Sequence, residues 1–180
     1  MPEVSDQKDQ PDLAGTENLS SIVDDLCRQS NGNSTWVRRE SIRSALPSRD
    51  VVVAMIEDLR SVLFPGYFGT SELSPETMKF HVGSSLDRVL GTLREQIRRG
   101  LCFVCQEETA DSCFECETRA LNLTHAFLSR LPRVKELLST DLVAAYEGDP
   151  AAISPDEALF CYPGIQAITN YRLAHELYLL

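Results

Sequence analysis

The residues best suited to chemistry are four cysteines in two close pairs, Cys102-Phe-Val-Cys105 and Cys113-Phe-Glu-Cys116. Each C-x2-C unit can turn two thiolates toward one metal ion. Two such units supply the four ligands that zinc takes in a tetrahedral structural site. The pairs flank a polar loop, residues 106–112, so zinc held by Cys102, Cys105, Cys113 and Cys116 would staple a helical hairpin. The spacer is shorter than that of a zinc ribbon, and the alternative is four reduced thiols on helix faces or in the loop. Cys27 and Cys161 stand alone and read as small buried apolar residues.

The remaining candidates are fewer. His81 and His125 lie in helical stretches without a partner motif and read as core or surface residues. His175 follows Tyr171 by four positions and Arg172 by three, so the three share a helix face and read as a buried polar network joining two domains, with a catalytic role for His175 as the alternative. Asp149 sits in Gly148-Asp149-Pro150, which ends a helical stretch. A carboxylate there can face a cleft and pair with an ammonium group. It can equally be a turn former before proline.

Helices must position these groups. The stripe Val52, Met55, Ile56, Leu59, Leu63 follows helical spacing, and Ser48 and Asp50 mark its start. Phe64-Pro-Gly-Tyr-Phe-Gly69 breaks it with an aromatic turn. Ser74-Pro75-Glu76 opens the longest helix, with Met78, Val82, Leu86, Val89, Leu93, Ile97 and Leu101 on its apolar face. A helix over about 115–130 is expected to end near Pro132, and a separate one to span about 132–146. Ser154-Pro-Asp-Glu157 is a capping box, and a last helix starts near Gly164. Weaker helical segments cover about 17–30 and 35–46. No strand pattern emerges. The fold class is all-α: an antiparallel helical bundle over 17–180, with a disordered acidic tail over 1–16.

Composition narrows the function. Of 180 residues, 17 are basic and 27 acidic, giving a net charge of −10. So acidic a chain argues against nucleic acid and against an anionic membrane surface. No apolar run approaches the ~20 residues that cross a bilayer, and the acidic N-terminus is unlike a secretory signal. The expected location is cytoplasmic, where disulfides are disfavoured. The last helix is apolar on several faces, which predicts burial, and it stops at Leu177-Tyr-Leu-Leu180 without a stop signal. That ending leaves two readings open: a C-terminal helix docked into its own core, or a longer protein of which this is the first part.

Three stretches carry a resemblance. They are Leu46–Asp50 running into Ile56–Gly69, Thr140–Ala151 with its Asp149-Pro150-Ala151, and Phe160–Tyr178 with Gly164 and Tyr171-Arg-Leu-Ala-His175. Together they resemble the N-terminal helical region of bacterial serine O-acetyltransferases. The resemblance implies a helical domain that assembles subunits into a homo-oligomer, followed by a left-handed β-helix of six-residue turns. That β-helix holds acetyl-CoA and the histidine base that makes a serine hydroxyl nucleophilic. The hexapeptide repeat is absent from these 180 residues, so the acetyl-CoA site and the catalytic base are not expected here, and the chain alone is expected to be inactive. The resemblance places Asp149 at the pocket shared by L-serine and the inhibitor L-cysteine. It also makes cysteine synthase a partner of the intact protein, within cysteine biosynthesis. The competing expectation is a stand-alone helical interaction module, stapled by zinc.

Overall fold

The computed structural model describes residues 19–29, 45–105 and 113–180. The chain forms two compact units, Met1–Ile42 and Arg43–Leu180. The expected tail over 1–16 and most of the segment over 35–46 lie outside the described residues. In the first unit α1 spans Leu19–Gln29.

The second unit holds α2 (Arg49–Leu63), α3 (Pro75–Cys105), α4 (Phe114–Gly148), α5 (Pro155–Cys161) and α6 (Pro163–Tyr178). No strand forms among the described residues. Side-chain pairs fix the directions. Ser48 donates its backbone N–H to Gln96 Oε1, and Arg88 forks onto Asp58, so α2 and α3 run antiparallel. Arg130 meets Glu176 and Arg172 meets Asp141, so α4 and α6 do the same. The core joins Leu59 and Leu63 of α2, Val89 and Leu93 of α3, Phe127, Leu131, Val134 and Leu138 of α4, and Ile165 and Leu173 of α6. The all-α antiparallel bundle is thus as the sequence predicts.

Caps behave much as expected. Ser48 Oγ accepts from the Val51 amide, and Ser154 Oγ from the Glu157 amide. Glu157 reaches back to the Ile153 amide, one residue before the cap. In the aromatic turn, Gly66 and Gly69 take φ of +87° and +75°, which glycine adopts without steric cost. A Cβ on Gly69 would also lie 3.2 Å from Ser61 Cβ. The turn presses Tyr67 and Phe68 onto Phe160, and Tyr67 Oη donates to Asp156 at 2.7 Å. It therefore docks the start of α5.

Three expectations need correction. No boundary falls at Pro132: α4 runs unbroken through it. The buried series Ala120, Thr124, Phe127, Leu131, Val134, Leu138 keeps one register across the proline. An internal proline costs about 3 kcal/mol. Burial of the flanking large apolar side chains yields about 1.5–3 kcal/mol each and outweighs it. Pro132 itself lies on the exposed face, where water can take the carbonyl that its missing N–H leaves. On α3 the buried line is Ser85, Val89, Leu93, Gln96 and Cys102, while Met78 is exposed and Val82 half-exposed. Two polar residues hold core positions there because Gln96 accepts the Ser48 amide at the neighbouring helix start. Finally, α6 buries only one line, Ile165, Thr169 and Leu173; Ile168, Tyr171, Tyr178 and Leu179 are exposed.

Candidate functional site

The two ends of α4 carry the candidate groups. At its N-terminus, Cys113 is the cap, and its sulfur accepts from the Cys116 amide at 3.4 Å. Cys102 and Cys105 arrive from the last turn of α3. The sulfurs of Cys102, Cys105 and Cys116 all lie within 4.8 Å of one another. Cys116 Sγ donates to Cys105 Sγ at 3.6 Å, and Cys105 Sγ to the Cys102 carbonyl at 3.7 Å. Burial pushes the Cys116 thiol up, and hydrogen bonding with Cys113, Cys105 and Cys102 adds to the rise. The structure thus brings together the sulfurs of three of the four cysteines singled out in the sequence, with Cys113 beside them at the helix cap. None of the four is in a disulfide. Cys161 is exposed rather than buried, because it ends the short α5 on its outer side. The Cys27 side chain lies outside the described residues.

A cationic collar, Arg94, Arg98 and Arg99, precedes Cys102 on α3. Glu95 accepts from Arg98 and Arg99 on α3, and Glu117 is gripped by Arg94 and approached by Arg98 at 3.7 Å. Arg98 also lies within electrostatic reach of Cys102. The Arg98 and Arg99 guanidinium groups hold the Glu95 carboxyl down at about 2.

At the other end of α4, Asp149 is the C-cap. Its Oδ1 accepts from the Ala151 amide at 2.9 Å, and its Oδ2 from Tyr162 Oη at 2.5 Å. The two bonds hold Asp149 below the usual carboxylate range, the Tyr162 bond counting most. The same bond is the main reason the Tyr162 phenol is pushed up to about 12. Asp149 therefore ties the end of α4 to the α5–α6 junction. Each oxygen keeps a second lone pair, so the carboxylate can still accept from an ammonium donor.

Sequence reasoning missed Tyr162 and Arg60. Tyr162 sat inside a helix break and offered no signal beyond its hydroxyl. Arg60 is buried beside Leu59 and donates to Glu57 at 2.6 Å and Asn170 at 2.9 Å. The Gln166 amide, with its oxygen toward the guanidinium, accepts at 3.0 and 3.3 Å. Gln166 and Asn170, four apart on an apolar helix, were the available sign of a buried cation. Arg60, Phe64, Phe68 and Tyr162 line a cleft of about 150 Å³. The expected face of Tyr171, Arg172 and His175 divides. Tyr171 and His175 stack at 5.5 Å, both exposed, whereas Arg172 turns to Asp141 in a two-pronged pair at 2.5 and 2.6 Å. His125 is exposed, and His81 keeps a buried Nε2 without a hydrogen-bond partner.

No family model matches the chain. The plasmid serine acetyltransferase of Synechococcus elongatus is 43% identical over 179 residues, covering 98% of this chain and 56% of the relative. Over nearly its whole length the chain is similar to that serine acetyltransferase. A Mycobacterium tuberculosis serine acetyltransferase matches over 38 residues at 53% identity, covering 21% of this chain and 17% of the relative. Two solved structures of Entamoeba histolytica serine acetyltransferase 1 share the fold. The native enzyme is 29% identical with a TM-score of 0.53, covering 88% of this chain and 52% of that chain. The complex with L-cysteine is 33% identical at the same TM-score, covering 68% and 39%. The chain spans about half the length of the Synechococcus relative it matches. No helix among the described residues is long and apolar enough to cross a membrane.

Proposed function

We propose that residues 17–180 serve as the helical domain of a serine O-acetyltransferase, which moves the acetyl group of acetyl-CoA to the hydroxyl of L-serine in the cytoplasm. The observation that carries this reading is the 43% identity sustained over nearly the whole chain. The domain's own work is assembly into a homo-oligomer and supply of one wall of the amino-acid pocket. Asp149 is the residue of that wall. Its carboxylate stays ionised and is held in place by Tyr162 and Ala151, which suits it to a substrate ammonium. L-cysteine shares that ammonium and would compete for it. The Entamoeba homologue crystallised with L-cysteine supports this part of the reading. Acetyl-CoA and the base that activates the serine hydroxyl would be held outside these 180 residues, and cysteine synthase would dock there too.

The test is a hybrid in which this chain replaces the matching region of the Synechococcus relative. The hybrid should acetylate L-serine, and Asp149→Asn should raise the KM for serine about tenfold or more, as loss of a charge-assisted contact of ~1.5–3 kcal/mol requires. A folded hybrid that binds acetyl-CoA but never turns over serine would overturn the proposal. An unchanged KM in Asp149→Asn would remove Asp149 from the pocket.

A further inference from the structure

The tip of the α3–α4 hairpin has an unusual core. Cys102 and Cys116 are buried there, while Phe103, Val104 and Phe114 are 45%, 75% and 83% exposed. Buried thiols are ordinary in a core, but three large apolar neighbours left exposed around them are not. What the hairpin tip collects is sulfur.

We propose that Cys102, Cys105, Cys113 and Cys116 form a tetrathiolate site for one structural zinc ion. Zinc binds thiolate at ~2.3 Å, so sulfurs at the corners of its tetrahedron stand ~3.8 Å apart. Cys105 and Cys116 are 3.6 Å apart, and Cys102 lies within 4.8 Å of both. A disulfide needs ~2.05 Å. The fourth ligand comes from Cys113. Its sulfur caps α4 and accepts from the Cys116 amide at 3.4 Å, which sets it beside the other three. Binding replaces four S–H bonds with four Zn–S bonds and releases each proton to solvent, with no change of oxidation state. The complex carries two net negative charges. A bound metal would add to the Arg94–Glu117 pair, which already joins the two helix ends. This inference stands apart from the acetyltransferase reading.

The experiment uses the full 180-residue chain, purified under reducing conditions and titrated with zinc alone. One zinc per chain is expected, with four thiols protected from a thiol reagent until chelator is added. Cobalt in place of zinc should give the visible bands of tetrahedral thiolate coordination. Cys113→Ser and Cys116→Ser should weaken zinc binding at least 100-fold, while Cys161→Ser leaves it unchanged. Circular dichroism of each variant separates loss of a ligand from loss of fold. No metal with every thiol reactive overturns the site. So does a Cys105–Cys116 disulfide that persists under these conditions. Full-strength binding by a folded Cys113→Ser overturns the four-cysteine ligand set.

Discussion

The two ends of α4 pose opposite electrostatic problems. At Asp149 a single negative charge meets donors from its own chain on both oxygens, so the carboxylate is satisfied as it stands. At the other end the sulfurs of Cys102, Cys105 and Cys116 converge within 4.8 Å, and Cys113 caps the helix beside them. The first end is a finished turn that can accept one more donor. The second end is a ligand set whose bonding is better completed by a cation. The two lie ~50 Å apart along one helix, at 1.5 Å per residue. They communicate only if α4 is a single element, which makes its continuity through Pro132 the feature to test.

The largest effect is expected from the middle of that element. Leu138 is fully buried between the proline and Asp149. Leu138→Ala removes three heavy atoms of packing and should lower unfolding stability by about 2–5 kcal/mol. Thermal unfolding followed at the thiols and at the tyrosines should shift together. A variant that loses the Asp149 end while its thiols keep wild-type protection would divide α4 at Pro132 after all.

A smaller effect, confined to one end, is expected from Tyr162→Phe. The Asp149 carboxyl should rise toward its ordinary value, with Ala151 still holding the other oxygen. In the wild type, the raised Tyr162 phenol contributes stability that is complete below pH 10 and is lost as pH climbs through about 12. Asp149→Asn should bring that phenol back toward 10.0, read by near-ultraviolet absorbance. Zinc affinity should not change in either variant. A shift in metal binding would show the two ends to be coupled.

Legibility in the sequence followed the length scale of the signal. Caps and turns were readable at Ser48, Ser154, Gly66 and Gly69, because each depends on a few neighbouring residues. The approach of Cys102, Cys105 and Cys116 was readable because C-x2-C geometry is local and only the hairpin had to close. Pro132 misled, since a local breaking rule was outvoted by core packing drawn from three other helices. The Asp149–Tyr162 and Arg60–Asn170 bonds span 13 and 110 positions, and nothing in the local pattern announced either pairing. The Asp149-Pro150-Ala151 segment was legible through resemblance to a family rather than through its own chemistry.

The smallest expected effect sharpens the charge contrast at the thiol end. Arg98 and Arg99 hold the Glu95 carboxyl at about 2, below its ordinary 4.5. The unfolded chain therefore binds a proton more readily than the folded one. Stability from this group is complete above about pH 4.5 and drains away as pH falls toward 2. Glu95 is over a third exposed, so screening limits the effect to about 1 kcal/mol or less, and added salt should shrink it further. The measurement is the difference in unfolding free energy between wild type and Glu95→Gln across that pH range. Protonation of the cysteine sulfurs is common to both proteins and cancels in the difference. A difference that grows as pH rises from 2 to 4.5 confirms that the arginines are committed to Glu95. A flat difference would leave Arg98 free for the sulfurs, making the cationic collar part of the thiol site rather than a neighbour of it.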